Sequence, residues 1–394
     1  MTTDFLSENM RRLMKSQGMT VKTLAEKSGI STVSLSNLLN NKVTPKTQTL
    51  MSVAEMLHSS MDDLFRPVSQ MKSLRFRTNT SISAREIALR DIVIINSTKW
   101  IHDYCNLEEE LFLQNGKVSK EPQYDIFNLK QTEPQKLASK IREIWDLKSE
   151  PIRDIAELIE NSGIKLWLRD FNMHKVFGFS VGEPDGGPAI VVNTNAHISS
   201  ERQIFTIAHE LGHILMHSNS FTSSKINNGK IENKSEEDEA NGFAGELLLP
   251  TRAFLEDWNK NQAFSFVDKV LLIKKKYKVS YKTVLKHFSA NSTAENIYPY
   301  FSSRYKAIYK QNLRENLESE SVKPEWSAKR EIDYHPTEKN IFNDTKFITT
   351  VFEGYRKGII PNESKLSDIL QCPYEEATIL AAEWNRKDPY SASL

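Results

Sequence analysis

The sequence predicts a mainly α-helical protein with a small β-sheet, an α+β chain of several domains. Three observations lead there. Residues 1–66 read as short amphipathic helices, broken by Gly18 and Gly29 and closed by Pro67. Three short runs rich in β-branched and aromatic residues, 164–168, 177–181 and 189–193, lie between helical stretches and read as strands. A length of 394 residues suits two or three domains. The 39% hydrophobic content supplies real cores, and 26% charged residues with a net charge of +1 describe an ordinary soluble chain. That balance neither argues for nucleic acid nor against it, so local patches must decide. The two cysteines, Cys105 and Cys372, are far apart and lack metal spacing, which fits free thiols in a reducing compartment. The opening MTTDFLSENMRRLMKSQG has no continuous apolar core for a secretory signal, and no run approaches membrane-span length. A cytoplasmic protein with no membrane partner is the expectation.

Four zones follow in order: 1–67, 68–135, 136–290 and 291–394. The second opens with the basic residues Lys72, Arg75, Arg77, Arg85 and Arg90, then runs as a helix from Ile87 to Phe112. It reads as a linking or dimerising region. Its arginines could touch a DNA backbone, although a solvated helix face accounts for them as well. In the third zone Leu137–Trp145 and Ile152–Ser162 read as helices, the second ending at Gly163. The fourth opens on a polar, aromatic-dotted stretch that the pattern does not place. It closes in two helices, Asp344–Lys357 and Leu366–Trp384.

The first zone has a definite mechanical pattern. Thr20 can cap a helix bearing Val21, Leu24 and Ala25, Gly29 permits a tight turn, and Ile30 fills the angle. Ser31 caps a second helix, in which Val33, Leu35, Leu38 and Leu39 are available to a core. The residues of that helix able to reach DNA are Thr32, Val33, Ser34, Ser36 and Asn37, Val33 being counted in both sets. Short hydroxyl and amide side chains at the start of such a helix can meet base edges in the major groove. Lys42, Lys46 and Arg11 or Arg12 could hold phosphates, which position without specifying. A plain helical bundle would share the spacing.

The strongest chemical signal is FTIAHELGHILMH, residues 205–217. His209 and His213 are four apart, so on a helix both imidazoles reach one ion. Glu210 adjoins the first of them, where its carboxylate can take a proton from an attacking water and return it to a leaving amine. Ser200 and Gln203 form a capping box at the start of this helix. The strand PAIVVN, 188–193, could lay a substrate backbone beside the metal if it were an open edge. Zinc needs a third protein ligand, and the acidic helix EEDEANGFAGELLLP, 236–250, can bring one. Glu237 shares a face with Ala240, Asn241, Ala244 and Leu248, and is taken ahead of Glu236, Glu239 and Glu246. A bare HExxH arises by chance, so the second helix carries much of the weight. His217 reads as a support to the ligands, and His174, His197 and His287 as ordinary residues. The insert SKINNGKIENKSEED reads as a mobile loop near the site.

Two resemblances add to this. Residues 8–65, through LAEKSGIS, LSNLLNNK and TLMSVAEMLHSSMDDLF, resemble the XRE, or lambda-repressor-like, helix-turn-helix family. The resemblance implies a five-helix fold that binds a double-stranded DNA operator, with affinity resting on a homodimer. Thr32 stands where many members carry Gln, which bears on the sequence read. Residues 136–290 resemble the ImmA/IrrE metallopeptidase family through IVVNTN, ERQIFTIAHELGHILMH, E-x-x-AN-x-FA-x-x-LLLP and YKVSYKTVLKHF. This implies a gluzincin-like fold, Zn²⁺ on His209, His213 and Glu237, and catalysis by Glu210. His287 departs from the family, where Arg is frequent. Together they imply a regulator of phage, mobile-element or stress genes whose zinc peptidase cuts a repressor-type protein or the chain itself. Two other readings compete: a transcription factor that uses the metal domain only to sense a ligand or protein, and an antitoxin of a toxin–antitoxin pair. Residues 291–394 carry no chemistry by pattern, although KGIIPNESKLSDILQCPYEEATIL has the rhythm of a small helical module.

Overall fold

A computed structural model describes residues 3–57, 59, 61–65, 74–76, 84–115, 122–129, 133–173, 175–222, 234–310, 312–313 and 345–387. Pro67, Lys72, Arg77, His174 and most of the 224–238 insert lie outside the described residues. The protein is mainly α-helical with a small sheet, and it divides into two compact units. The first holds residues 1–71, 78–100 and 171–175; the second holds 72–77, 101–170 and 176–394.

The first unit begins with five helices: α1 (Thr3–Ser16), α2 (Val21–Ser28), α3 (Thr32–Leu39), α4 (Thr47–Met56) and α5 (Met61–Phe65). Leu6, Met10, Leu24, Leu35, Val53, Leu57 and Leu64 form their core. Asn9 in α1 donates to the Leu64 carbonyl in α5 at 3.0 Å, tying first helix to last without leaving a buried amide unmet. A three-residue strand, β1 (Leu74–Phe76), follows within the second unit, so Arg75 lies on a strand rather than a helix face. The helix expected over Ile87–Phe112 is α6 (Ala84–Asn115), 32 residues long, and it crosses the division between the units.

The second unit continues with α7 (Pro134–Ile144), α8 (Ile155–Asn161), β2 (Lys165–Arg169), β3 (Gly178–Val181) and β4 (Ala189–Asn193). Helix α8 starts three residues later than the pattern suggested, because Asp154 caps it by accepting from the Ala156 and Glu157 amides. Gly163 closes the following turn at φ +81°, a conformation that suits glycine. The sheet order is β1-β3-β4-β2, with β2 parallel to β4 and β3 antiparallel to both neighbours. This corrects the reading of PAIVVN as an open edge. Strand β4 is hydrogen-bonded on both sides, and all five of its residues are buried. A central strand cannot take a further backbone partner, and its uninterrupted apolar run is the signature of that position.

Then come α9 (Ser200–Met216), a 3-10 turn (Ser218–Thr222), α10 (Lys234–Leu248), α11 (Thr251–Lys260), α12 (Phe266–Tyr277) and α13 (Tyr281–Ala290). The cap of α9 is Ser199, not Ser200: its hydroxyl accepts from the Arg202 amide, and Gln203 turns back to the Ile198 carbonyl. The stretch that the pattern could not place contains α14 (Ile297–Tyr309), whose Phe301 and Tyr305 join the core of the second unit. Its aromatic residues at i, i+4 are the helical signal, obscured by the polar residues around them. Among the described residues after 344 there are three helices rather than two: α15 (Lys346–Arg356), α16 (Glu363–Leu370) and α17 (Tyr374–Lys387). Gln371 takes a left-handed conformation at φ +52° and Pro373 follows, so Leu366–Trp384 cannot run as one helix.

Candidate functional site

Helices α9 and α10 pack closely, and Gly212 is what lets them. A Cβ built there would lie 3.0 Å from the Phe243 ring and 3.3 Å from the Ala240 backbone. The glycine of HELGH is thus a contact surface for the small-residue face of α10. On the other side α9 lies against the sheet, where a Cβ on Gly178 would meet Thr206 at 2.6 Å. Arg142 of α7 holds the far end of α10: its guanidinium donates to the Leu247 carbonyl at 2.7 Å and to the Lys148 and Glu150 carbonyls. At the start of α9, Glu201 receives Lys274 of α12 at 2.6 Å, both side chains being 4% exposed.

This packing brings His209, His213 and Glu237 to one point. The two Nε2 atoms are 3.0 Å apart, and the Glu237 carboxylate oxygens lie 3.4 Å from His209 and 3.0 Å from His213. A tetrahedral zinc ion with ligands at about 2.0–2.1 Å spaces its donor atoms by roughly 3.4 Å. Two imidazole nitrogens and a carboxylate oxygen, converging with that spacing and nearly buried, are therefore a donor set that fits such an ion. Burial pushes the Glu237 carboxyl upward, but hydrogen bonds and charge from His209 and His213 outweigh it and hold the group well below the usual carboxylate range.

The remaining acids sort by position. Glu210 is buried, and its carboxylate accepts a 2.7 Å hydrogen bond from Ser180 of β3. Glu239 accepts from His217 Nε2 at 3.0 Å, and His217 Nδ1 is 2.9 Å from His213 Nδ1. With the His217 proton drawn to Nε2 by Glu239, its Nδ1 accepts from His213, which leaves the His213 Nε2 lone pair facing the cluster. Glu246 is instead spent on the next helix, accepting from the Thr251 amide and hydroxyl. His287 packs on Phe254 near the Gly245 carbonyl, and burial lowers its pKa. If the Glu239–His217–His213 chain orients a ligand, His217→Ala should weaken metal binding about 10–100-fold. Competition against a chromogenic chelator reads this out, with unchanged affinity as the contrary result.

In the first unit, Thr20 and Ser31 cap α2 and α3 by accepting from the Thr23 and Ser34 amides, and Gly29 turns between them at φ +68°. Thr32, Ser34 and Ser36 are exposed on α3, Asn37 is half-buried, and Lys42 and Lys46 are exposed. Val33 is 70% exposed and leaves the core set, because 100° per residue puts it opposite Leu35, Leu38 and Leu39. Arg11 caps the end of α3 through the Leu39 carbonyl and the Asn40 side chain, and Arg12 binds Asn9. Both arginines already serve the fold.

Comparison with family models meets this geometry at both places. Residues 9–70 match the Cro/C1-type HTH DNA-binding domain, and residues 159–289 match the M78 peptidase family, described as an IrrE N-terminal-like domain. The chain joins a Cro/C1-type helix-turn-helix to an IrrE-like peptidase-family domain. No curated protein matches it significantly. The matched span of the IrrE-like domain contains α9, α10 and strands β2–β4, and so the whole convergent cluster with Ser180. Sequence reasoning missed Ser180, whose only signal is the alternation that points it off β3 toward the HELGH helix. The Cro/C1-type match takes in the later part of α1 and all of α2 to α5, α3 among them. Among the described residues no helix is long and apolar enough to cross a membrane.

Proposed function

We propose that the chain is a cytoplasmic DNA-binding regulator, acting as a homodimer, whose IrrE-like domain is a zinc-dependent endopeptidase directed at a repressor-type protein or at the chain itself. The observation that carries this reading is the buried meeting of His209, His213 and Glu237 beside a carboxylate, Glu210, that a hydroxyl holds in place. His209, His213 and Glu237 would hold the ion. A zinc ion there supplies Lewis acidity, which makes water a nucleophile near neutral pH and polarises a peptide carbonyl. Glu210 takes the proton that the attacking water loses and delivers one to the leaving amine, so the peptide bond and water become a carboxyl and an amine. Ser180 positions that carboxylate by donating to one oxygen. In the head, Thr32, Val33, Ser34, Ser36 and Asn37 face the major groove, while Lys42 and Lys46 meet phosphates. Separating a DNA-binding part from a dimerising part lowers operator occupancy, since half-site avidity is lost.

The test is incubation of the purified full chain, alone and with Cro/C1-type repressors, with added zinc and then with chelator. Fragments with newly mapped termini should accumulate with zinc, stop forming once chelator is added, and form again when zinc is restored. A zinc-loaded chain that binds such partners but leaves them and itself whole would sink the peptidase reading in favour of a sensor.

A further inference from the structure

Helix α3, TVSLSNLL, carries no arginine, lysine, glutamine or acidic residue. It therefore has nothing to make a two-bond contact with guanine O6 and N7, which needs a guanidinium or an ammonium. Leu35, Leu38 and Leu39 are turned into the core. The outward stripe, at i, i+3, i+4 and i+7, is Val33, Ser36, Asn37 and the cap residue Asn40. Part of its polar inventory is engaged inside the head. Asn40 accepts from Arg11 at 2.9 Å, and its amide donates to Ser36 at 3.5 Å. Beside the stripe, Ser31 donates to the Ser34 hydroxyl at 2.8 Å and accepts from the Ser34 amide. Thr32 has a single hydroxyl, which cannot make the two-bond contact by which an amide holds adenine. Val33 stands apart from all of these. It is 70% exposed on the second residue of the helix, and its side chain can neither donate nor accept. On a plain surface an exposed valine needs no explanation. At the end of a helix that enters a groove it becomes a chemical constraint, because whatever base edge it covers loses water.

We infer that Val33 sets the class of operator this chain reads: the step beneath it is an A·T pair, whose thymine C5-methyl packs against the valine methyls. The inference rests on the DNA-binding reading and deepens it. Of the base edges in the major groove, only that of thymine offers an apolar group. Guanine O6 and N7, cytosine N4 or adenine N6 under the same side chain would be stripped of water and given no partner, which costs free energy. The preference thus has two sources, a gain at thymine and a loss at every other base. Asn37, one turn further along the same stripe, fits the same composition, since its amide can meet adenine N6 and N7 together. Lys42 and Lys46, beyond the end of α3, add affinity through phosphates without adding sequence. The half-site under α3 is accordingly biased to A·T pairs, and its thymine is specified by a methyl contact instead of a hydrogen bond.

The experiment uses the full chain and a pool of random-sequence duplexes, from which bound duplexes are enriched and sequenced. Uracil is then placed at each thymine of the recovered site in turn, which removes the methyl and nothing else. At one thymine of each half-site this should weaken binding about four-fold, the worth of one buried methyl group. Val33→Ala should abolish that discrimination, its affinities for the thymine and uracil duplexes agreeing within about two-fold. The substitution lies outside the core, and the ratio is taken within each protein, so a variant of lower overall affinity still answers. Discrimination that persists undiminished in Val33→Ala would assign the methyl contact to another residue and overturn the inference. A recovered site in which every thymine tolerates uracil would overturn it too, while leaving DNA binding intact. A pool from which nothing is enriched would remove the DNA-binding reading itself, and the inference with it, so the two failures are told apart.

Discussion

Replacing Glu210 by Gln should leave the chain folded and able to hold one metal ion, yet slow peptide cleavage by about 10²–10⁴-fold. The amide has the shape of the carboxylate and can still accept from Ser180, so the 2.7 Å contact and the packing of α9 on β3 survive. What it loses is the ability to take a proton from water. Metal content by elemental analysis separates this from a ligand defect, and fragment appearance against time gives the rate. Cleavage at the unsubstituted rate would show that Glu210 is not the base. The same variant tests the regulatory consequence. If repression is relieved by hydrolysis, Glu210→Gln should hold the operator under inducing conditions. Relief that persists would assign control to binding alone.

The largest structural effect should come from Lys274→Ala. Lys274 and Glu201 meet at 2.6 Å with 4% exposure each, and Glu201 sits in the first turn of the helix that carries the histidines. Removing the ammonium strands a carboxylate in a nearly dry place, a change that costs roughly 3–5 kcal/mol. The unfolding transition of the IrrE-like body should fall by on the order of 10 °C. A paired exchange, Glu201→Leu with Lys274→Met, should recover most of this, since apolar side chains of similar volume need no partner. Calorimetry of the three proteins decides. A single variant that melts with the unsubstituted chain would show the pair to be well solvated instead.

The parts legible in the sequence are those governed by local periodicity. The i, i+4 spacing of His209 and His213 on a helix, the caps at Thr20 and Ser31, the turns at Gly29 and Gly163, and the runs at β2, β3 and β4 all follow from neighbours a few residues away. Choosing Glu237 over Glu236, Glu239 and Glu246 used the face shared with Ala240 and Ala244, and the structure places Glu237 against both histidines. The count of C-terminal helices was misjudged where Gln371 turns left-handed before Pro373, a local event in a segment whose apolar spacing runs on through it.

By itself the sequence determined a helix-turn-helix head, a histidine pair on one helix and an acidic helix able to face it, because each depends on rotation per residue and on side-chain chemistry along one element. Only the tertiary structure decided that β4 is interior, that Ser180 reaches Glu210, that Glu239 serves His217, and that residues 74–76 lie on the edge of β3. Those are meetings between segments up to about a hundred residues apart, fixed by how sheet and helices bury their apolar faces together, and no window of sequence contains both partners.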